Sequence, residues 1–196
     1  MRREHNTQFL VWLCKVSLLA GLMMGLHSLG IAMIKTPWGA SITLDCAIVL
    51  IALLSIDLRG GIVLSIVFGI LSCIKGLNSP DPLIAAPLLS YSPIFIIILA
   101  ILPRVCIPLV TYTLKKVISN KIENQNVANA ILGALGSLTN TVLYLGTAFL
   151  LHIVINNNAP ALLTAIGLTG VINGLCEAAF SAIIIPPVAG ALKKLR

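Results

Sequence analysis

Four polar side chains interrupt runs that are otherwise apolar: Arg104, Asn140, Asn173 and Glu177. A charged group near the centre of a bilayer costs about 2.5–3.5 kcal/mol on insertion scales, so such residues turn toward protein and take a partner. Asn173 and Glu177 are four apart and share one side of a helix. If the four converge, they line a pocket with one cation, one anion and two amides. That set suits a small polar molecule bearing a carboxylate, hydroxyls or an amide, because an arginine grips a carboxylate through two parallel hydrogen bonds and amides donate or accept. A second reading needs no ligand. Arg104 and Glu177 form an ion pair and the asparagines cross-link helices, although a buried pair adds little stability once desolvation is counted.

The element that carries Asn140 shows the same ambiguity. At helical spacing, Gly133, Gly136, Ser137, Asn140, Tyr144 and Thr147 fall on one stripe, with leucines mostly elsewhere. A small, polar face surrounded by hydrocarbon faces other protein. It forms either a ligand-facing wall or a tight helix–helix seam with Asn140 as hydrogen-bonding glue.

These segments are membrane spans. Of 196 residues, 58% are hydrophobic and only 10% charged, and the mean hydropathy is +1.05. A soluble domain of this length exposes far more charge, so lipid must solvate most of the chain. The reading is an all-α integral membrane protein, a single domain over 1–196 forming a six-transmembrane-helix bundle. Spans are expected at about 9–34, 42–58, 61–77, 90–114, 127–155 and 162–192.

Each span adds a detail. The first is longer than a signal-peptide core, lacks a clear cleavage site, and carries Ser17, Gly21 and Gly25 at intervals of four, a groove that another helix can enter closely. Trp38, in the connection that follows, suits an interfacial aromatic belt. Asp45 falls in the first turn of the second span, where an acid stabilises a helix N-terminus. Residues 76–87 carry prolines and turn formers that argue against a regular helix, and the segment is long enough to serve as a lid or as a plain connection. Pro103 and Pro108 free carbonyls and bend the fourth span. Pro186-Pro187 is a candidate kink in the sixth.

The net charge of +7 follows topology rather than nucleic acid. Arg2, Arg3, Arg59, Lys115, Lys116, Lys121, Lys193, Lys194 and Arg196 fall at one set of span ends, and only Lys35 and Lys75 at the other. The positive-inside bias places both termini in the cytoplasm. Five cysteines at wide spacing read as small buried residues, and His5, His27 and His152 lack ligand spacing and suit solvation or interfacial roles. No GxxxxGK, HExxH or GxSxG occurs, so no metal site and no enzymatic chemistry are expected.

Leu102-Pro103-Arg104, Gly136-Ser137-Leu138-Thr139-Asn140-Thr141 and Asn173-Gly174-Leu175-Cys176-Glu177 resemble the substrate-binding S components of energy-coupling factor (ECF) vitamin transporters. The second stretch is the most specific and looks most like the pantothenate-type members. The resemblance implies a vitamin-capturing subunit of the bacterial cell membrane with no transport activity alone. It also implies a membrane coupling protein and two cytoplasmic ATPases as partners; ATP is hydrolysed by those subunits, with no cofactor in this chain. Ser17, Gly21 and Gly25 would meet the coupling protein. Family members hold substrate near the outer side, which implies contributions from the loops near Trp38, Asn78 and Tyr91. In the pocket, Arg104 would be the carboxylate partner and Asn140 and Glu177 orienting groups. From another class, a stand-alone carrier using Glu177 as its proton site, or a structural subunit without ligand, fits the same composition.

Overall fold

The computed structural model describes residues 2–35, 41–155 and 159–194. Helix α1 (Arg2–Ser28) leads into a short hairpin of β1 (Met33–Lys35) and β2 (Ser41–Thr43), then α2 (Leu44–Ser55), α3 (Leu58–Asn78) and α4 (Ala85–Tyr91). Helices α5 (Pro93–Ser119), α6 (Gln125–Val154) and α7 (Ala159–Lys194) complete the bundle. The expected all-α chain thus acquires one antiparallel pair, with Met33 opposite Thr43 and Lys35 opposite Ser41. Helices within α1, α3, α5, α6 and α7 are long and apolar enough to cross a membrane. The chain is therefore a multi-pass membrane protein.

The second expected span departs from a simple crossing helix. Over 42–58 the sequence is apolar enough to span, yet α2 has 12 residues, about 18 Å at 1.5 Å per residue, against a hydrocarbon core of about 30 Å. Every residue from Asp45 through Ser55 is buried, and α2 touches α1, α3, α5, α6 and α7. A helix covered on all sides needs no polar stripe, which is why its run of Ile, Val and Leu has no preferred face. It ends at the turn where Asp57 caps α3: the Asp57 carboxylate accepts from Gly60 N–H (2.7 Å) and from Trp12 Nε1 (3.0 Å), tying α1 to the α2–α3 corner.

Residues 76–87 are more ordered than their prolines suggest. Pro87 falls in the first turn of α4, where its missing N–H is not needed. Asp81 Oδ1 accepts from the N–H groups of Leu83 (2.9 Å) and Ile84 (3.0 Å), setting up that helix. The α4 side chains Ala85 and Leu88 join Ile96, Leu99, Ala148 and Leu151 in a satellite core, separate from the main one around α2.

Two histidines also differ from their expected interfacial roles. His152 is fully buried, its Nε2 3.0 Å from the Ile84 carbonyl, and so anchors the segment before α4. His27 Nδ1 lies 3.3 Å from Asp45 Oδ2, joining the end of α1 to the first turn of α2.

The small-residue stripe on α6 divides along its length. Its first half is a seam: Ser137 and Ser181 share a hydrogen bond of 2.6 Å, and a Cβ on Gly133 would meet the Ser181 carbonyl oxygen at 3.0 Å. Gly133→Leu is expected to push α6 from α7, overpacking by about 1–3 kcal/mol and lowering the thermal midpoint in detergent. Gly146→Leu, whose added Cβ meets open space, leaves that midpoint unchanged or raises it. Equal midpoints for the two variants would contradict the seam.

Candidate functional site

The second half of the same stripe opens on a cavity of about 670 Å³, within the usual range of about 300–1,000 Å³ for small-molecule pockets. Arg104, Asn140, Asn173 and Glu177 all line it. The cavity lies where α3 ends and α5 begins, roofed by residues 79–85 and bordered by Thr43 at the start of α2. Its position follows from the short second helix: α2 begins only at Leu44, and the space beyond its N-terminus is walled by α3, α5, α6 and α7.

Arg104 owes its placement to the residue before it. Pro103 has no N–H, so the carbonyl four residues earlier, that of Leu99, has no helical donor. Arg104 curls back along α5 and donates Nη1–H to that carbonyl at 2.9 Å. Its Cζ stands 5.2 Å from the ring centroid of Phe68 on α3 and 4.6 Å from that of Tyr144 on α6. Such contacts hold a guanidinium in a partly desolvated site. The side chain is 8% exposed, and Nε is buried without a hydrogen-bond partner.

Glu177 takes a different partner from the one a simple ion pair would give it. Its Oε1 accepts from the Thr43 backbone N–H at 2.9 Å, and Thr43 is the N-cap residue of α2. A carboxylate there complements the positive end of the helix dipole. Among the described residues, no salt bridge joins Arg104 to Glu177, while His27 Nδ1 and Asp45 Oδ2 are in hydrogen-bond contact at 3.3 Å. Asn140 lies beside Glu177, and its Oδ1 is buried with no partner. Two polar atoms in the cavity wall thus lack a partner, the Arg104 Nε donor on α5 and the Asn140 Oδ1 acceptor on α6, and both lie beneath the accessible surface. An unpaired buried group of this kind costs roughly 1–3 kcal/mol, and a ligand with matching groups would offset that cost once neighbouring side chains move to admit it.

Two other residues tied to the site by sequence do not line it. Asn78 and Tyr91 are exposed and absent from the cavity wall. Asn78 is out of register with the face of α3 that carries Phe68, Ser72, Lys75, Gly76 and Ser79, and the Tyr91 ring packs against Phe95 at 5.5 Å. Trp38 lies outside the described residues. Conversely, Lys75, Asp81, Thr43 and Ser72 line the cavity without having been singled out for it. The 68, 72, 75, 79 spacing on α3 was the available signal.

Ser17, Gly21 and Gly25 are exposed on α1, and a Cβ on either glycine would meet nothing within 4 Å. The opposite side of α1, Val16, Leu19 and Met23, packs into the main core.

A multi-pass bundle whose ligand-sized cavity is mostly apolar and carries a few converging polar side chains has the form of a membrane-embedded binding protein. The family model for "ECF transporter, substrate-specific component" matches residues 15–189, and the chain belongs to that family. It is thus a substrate-binding component of an ECF importer and not an enzyme, and membership implies association with an energy-coupling module of coupling protein and ATPases. Comparison with curated proteins returns no match.

Proposed function

We propose that this chain captures pantothenate from outside a bacterial cell and delivers it inward together with a membrane coupling protein and two cytoplasmic ATPases, which hydrolyse the ATP. Pantothenate carries one carboxylate, one amide and two hydroxyls, and the cavity offers a counterpart to each. Arg104 receives the carboxylate, while Asn140, Asn173 and Glu177 orient the amide and hydroxyls. The observation that carries the reading is the buried Arg104 guanidinium, which faces a ligand-sized cavity and has no carboxylate partner among the described residues.

The basic residues support an orientation. Lys115 and Lys116 end α5, Lys193 and Lys194 end α7, and the cavity lies toward the other end of α5. With the basic end cytoplasmic, both termini are inside and the cavity opens toward the exterior. The exposed Ser17, Gly21 and Gly25 face is the docking surface for the coupling protein, since small residues let helices approach closely.

The test has two arms. Purified protein is titrated with pantothenate by calorimetry, and vesicles containing this chain alone or with its coupling module are assayed for uptake. Tight binding with uptake only in the presence of the module and ATP is expected. Uptake by the chain alone, driven by a proton gradient, would overturn the proposal in favour of a self-sufficient carrier.

A further inference from the structure

We infer that Pro103 is the positioning residue for anion recognition, because the carbonyl it leaves without a helical donor aims Arg104. In a regular helix the N–H of residue 103 would bond to the Leu99 carbonyl. Proline removes that donor, and the Arg104 Nη1–H takes its place at 2.9 Å. One corner of the guanidinium is thereby fixed to the backbone of its own helix. Phe68 and Tyr144, 5.2 and 4.6 Å from Cζ, limit rotation of its plane. What remains is the edge formed by Nε and Nη2. Nε is unpartnered but lies beneath the accessible surface, so a carboxylate, whose two oxygens match the spacing of that edge, engages it fully only as neighbouring side chains move aside. Pro103 is itself buried in α5 and does not line the cavity, so it acts on the ligand only through Arg104. The device links two features that are otherwise costs, a proline inside a membrane helix and an arginine near mid-depth: each satisfies what the other leaves open.

This inference rests on the reading of Arg104 as the carboxylate partner, and its test separates the two. Pro103→Ala restores the N–H at position 103, which competes with Arg104 for the Leu99 carbonyl and frees the guanidinium. Pantothenate affinity is expected to fall about tenfold, within the range of coupling between contacting residues. The analogue with CH2OH in place of the carboxylate, already a weak ligand, should change by less than twofold. In an Arg104→Ala background the proline substitution should add nothing further for pantothenate. The thermal midpoint of Pro103→Ala should not fall, since the substitution returns a helix hydrogen bond, so a loss of affinity cannot be assigned to unfolding.

Wild-type affinity in Pro103→Ala, or equal weakening of both ligands, overturns the inference. If wild-type protein binds neither compound, the pantothenate reading fails while the positioning role is decided by nuclear magnetic resonance of arginine-labelled protein. The Arg104 guanidinium N–H signals, identified by their disappearance in Arg104→Lys, should be restricted in wild type and averaged in Pro103→Ala. Restriction in both would overturn the role whatever the ligand is.

Discussion

Arg104→Ala is expected to weaken pantothenate binding by at least thirtyfold, and Arg104→Lys by a smaller but still clear margin. Truncating one member of a buried, hydrogen-bonded charge pair costs about 2–5 kcal/mol, and every 1.4 kcal/mol is a factor of ten. In the proposed complex the pair would form between the ligand's carboxylate and a guanidinium that is 8% exposed. Lysine keeps the charge but loses the flat fork and its stacking against Phe68 and Tyr144, so it restores attraction without the two-point geometry. Calorimetric titration of the three proteins decides the matter. Wild-type affinity in the alanine variant would remove Arg104 from the site and leave the cavity with a purely structural arginine.

The second large effect concerns transport rather than capture. In Gly21→Leu/Gly25→Leu, two bulky side chains project from a face of α1 that has nothing within 4 Å of either new Cβ. The bundle itself loses no contact, so pantothenate affinity should be unchanged. If this face is the proposed docking surface, the two leucines fill it and block close approach of a partner helix. ATP-dependent uptake in vesicles with the complete module should fall by more than a factor of ten, and copurification of the coupling protein should be lost with it. Full uptake by the double variant would move the docking surface elsewhere.

Much of this organisation was legible in the sequence. Arg104, Asn140, Asn173 and Glu177 could be grouped before any coordinates because hydrocarbon tolerates no lone ion or amide, and the structure brings all four to one cavity. The length of α2 was not legible. An apolar run over 42–58 reads alike whether the chain crosses a bilayer or ends as a core helix covered by five neighbours, and burial on every side erases the periodicity that would distinguish them. Lys75 was hidden for another reason: near the end of a span, a lysine reads as a loop charge, and only the helical register of α3 shows that it borders the cavity. Asn78 and Tyr91 drew attention as polar or aromatic residues beside a loop, but proximity in sequence does not determine which side of a helix a residue occupies. The roles of His27 and His152 depend on Asp45 and the Ile84 carbonyl, 18 and 68 residues away, and no local pattern encodes such pairs.

The truncated second helix also bears on direction of flow. Beneath the cavity, α2 fills the axis of the bundle as a plug of eleven buried residues, Asp45 through Ser55. A solute resting against Thr43 faces a stopper of tightly packed Ile, Val and Leu rather than a corridor, and extracting that stopper would dismantle the main core. A solute held in the cavity could follow the bundle axis only by displacing that packed core, so the second helix makes the far side of the cavity a floor rather than an exit.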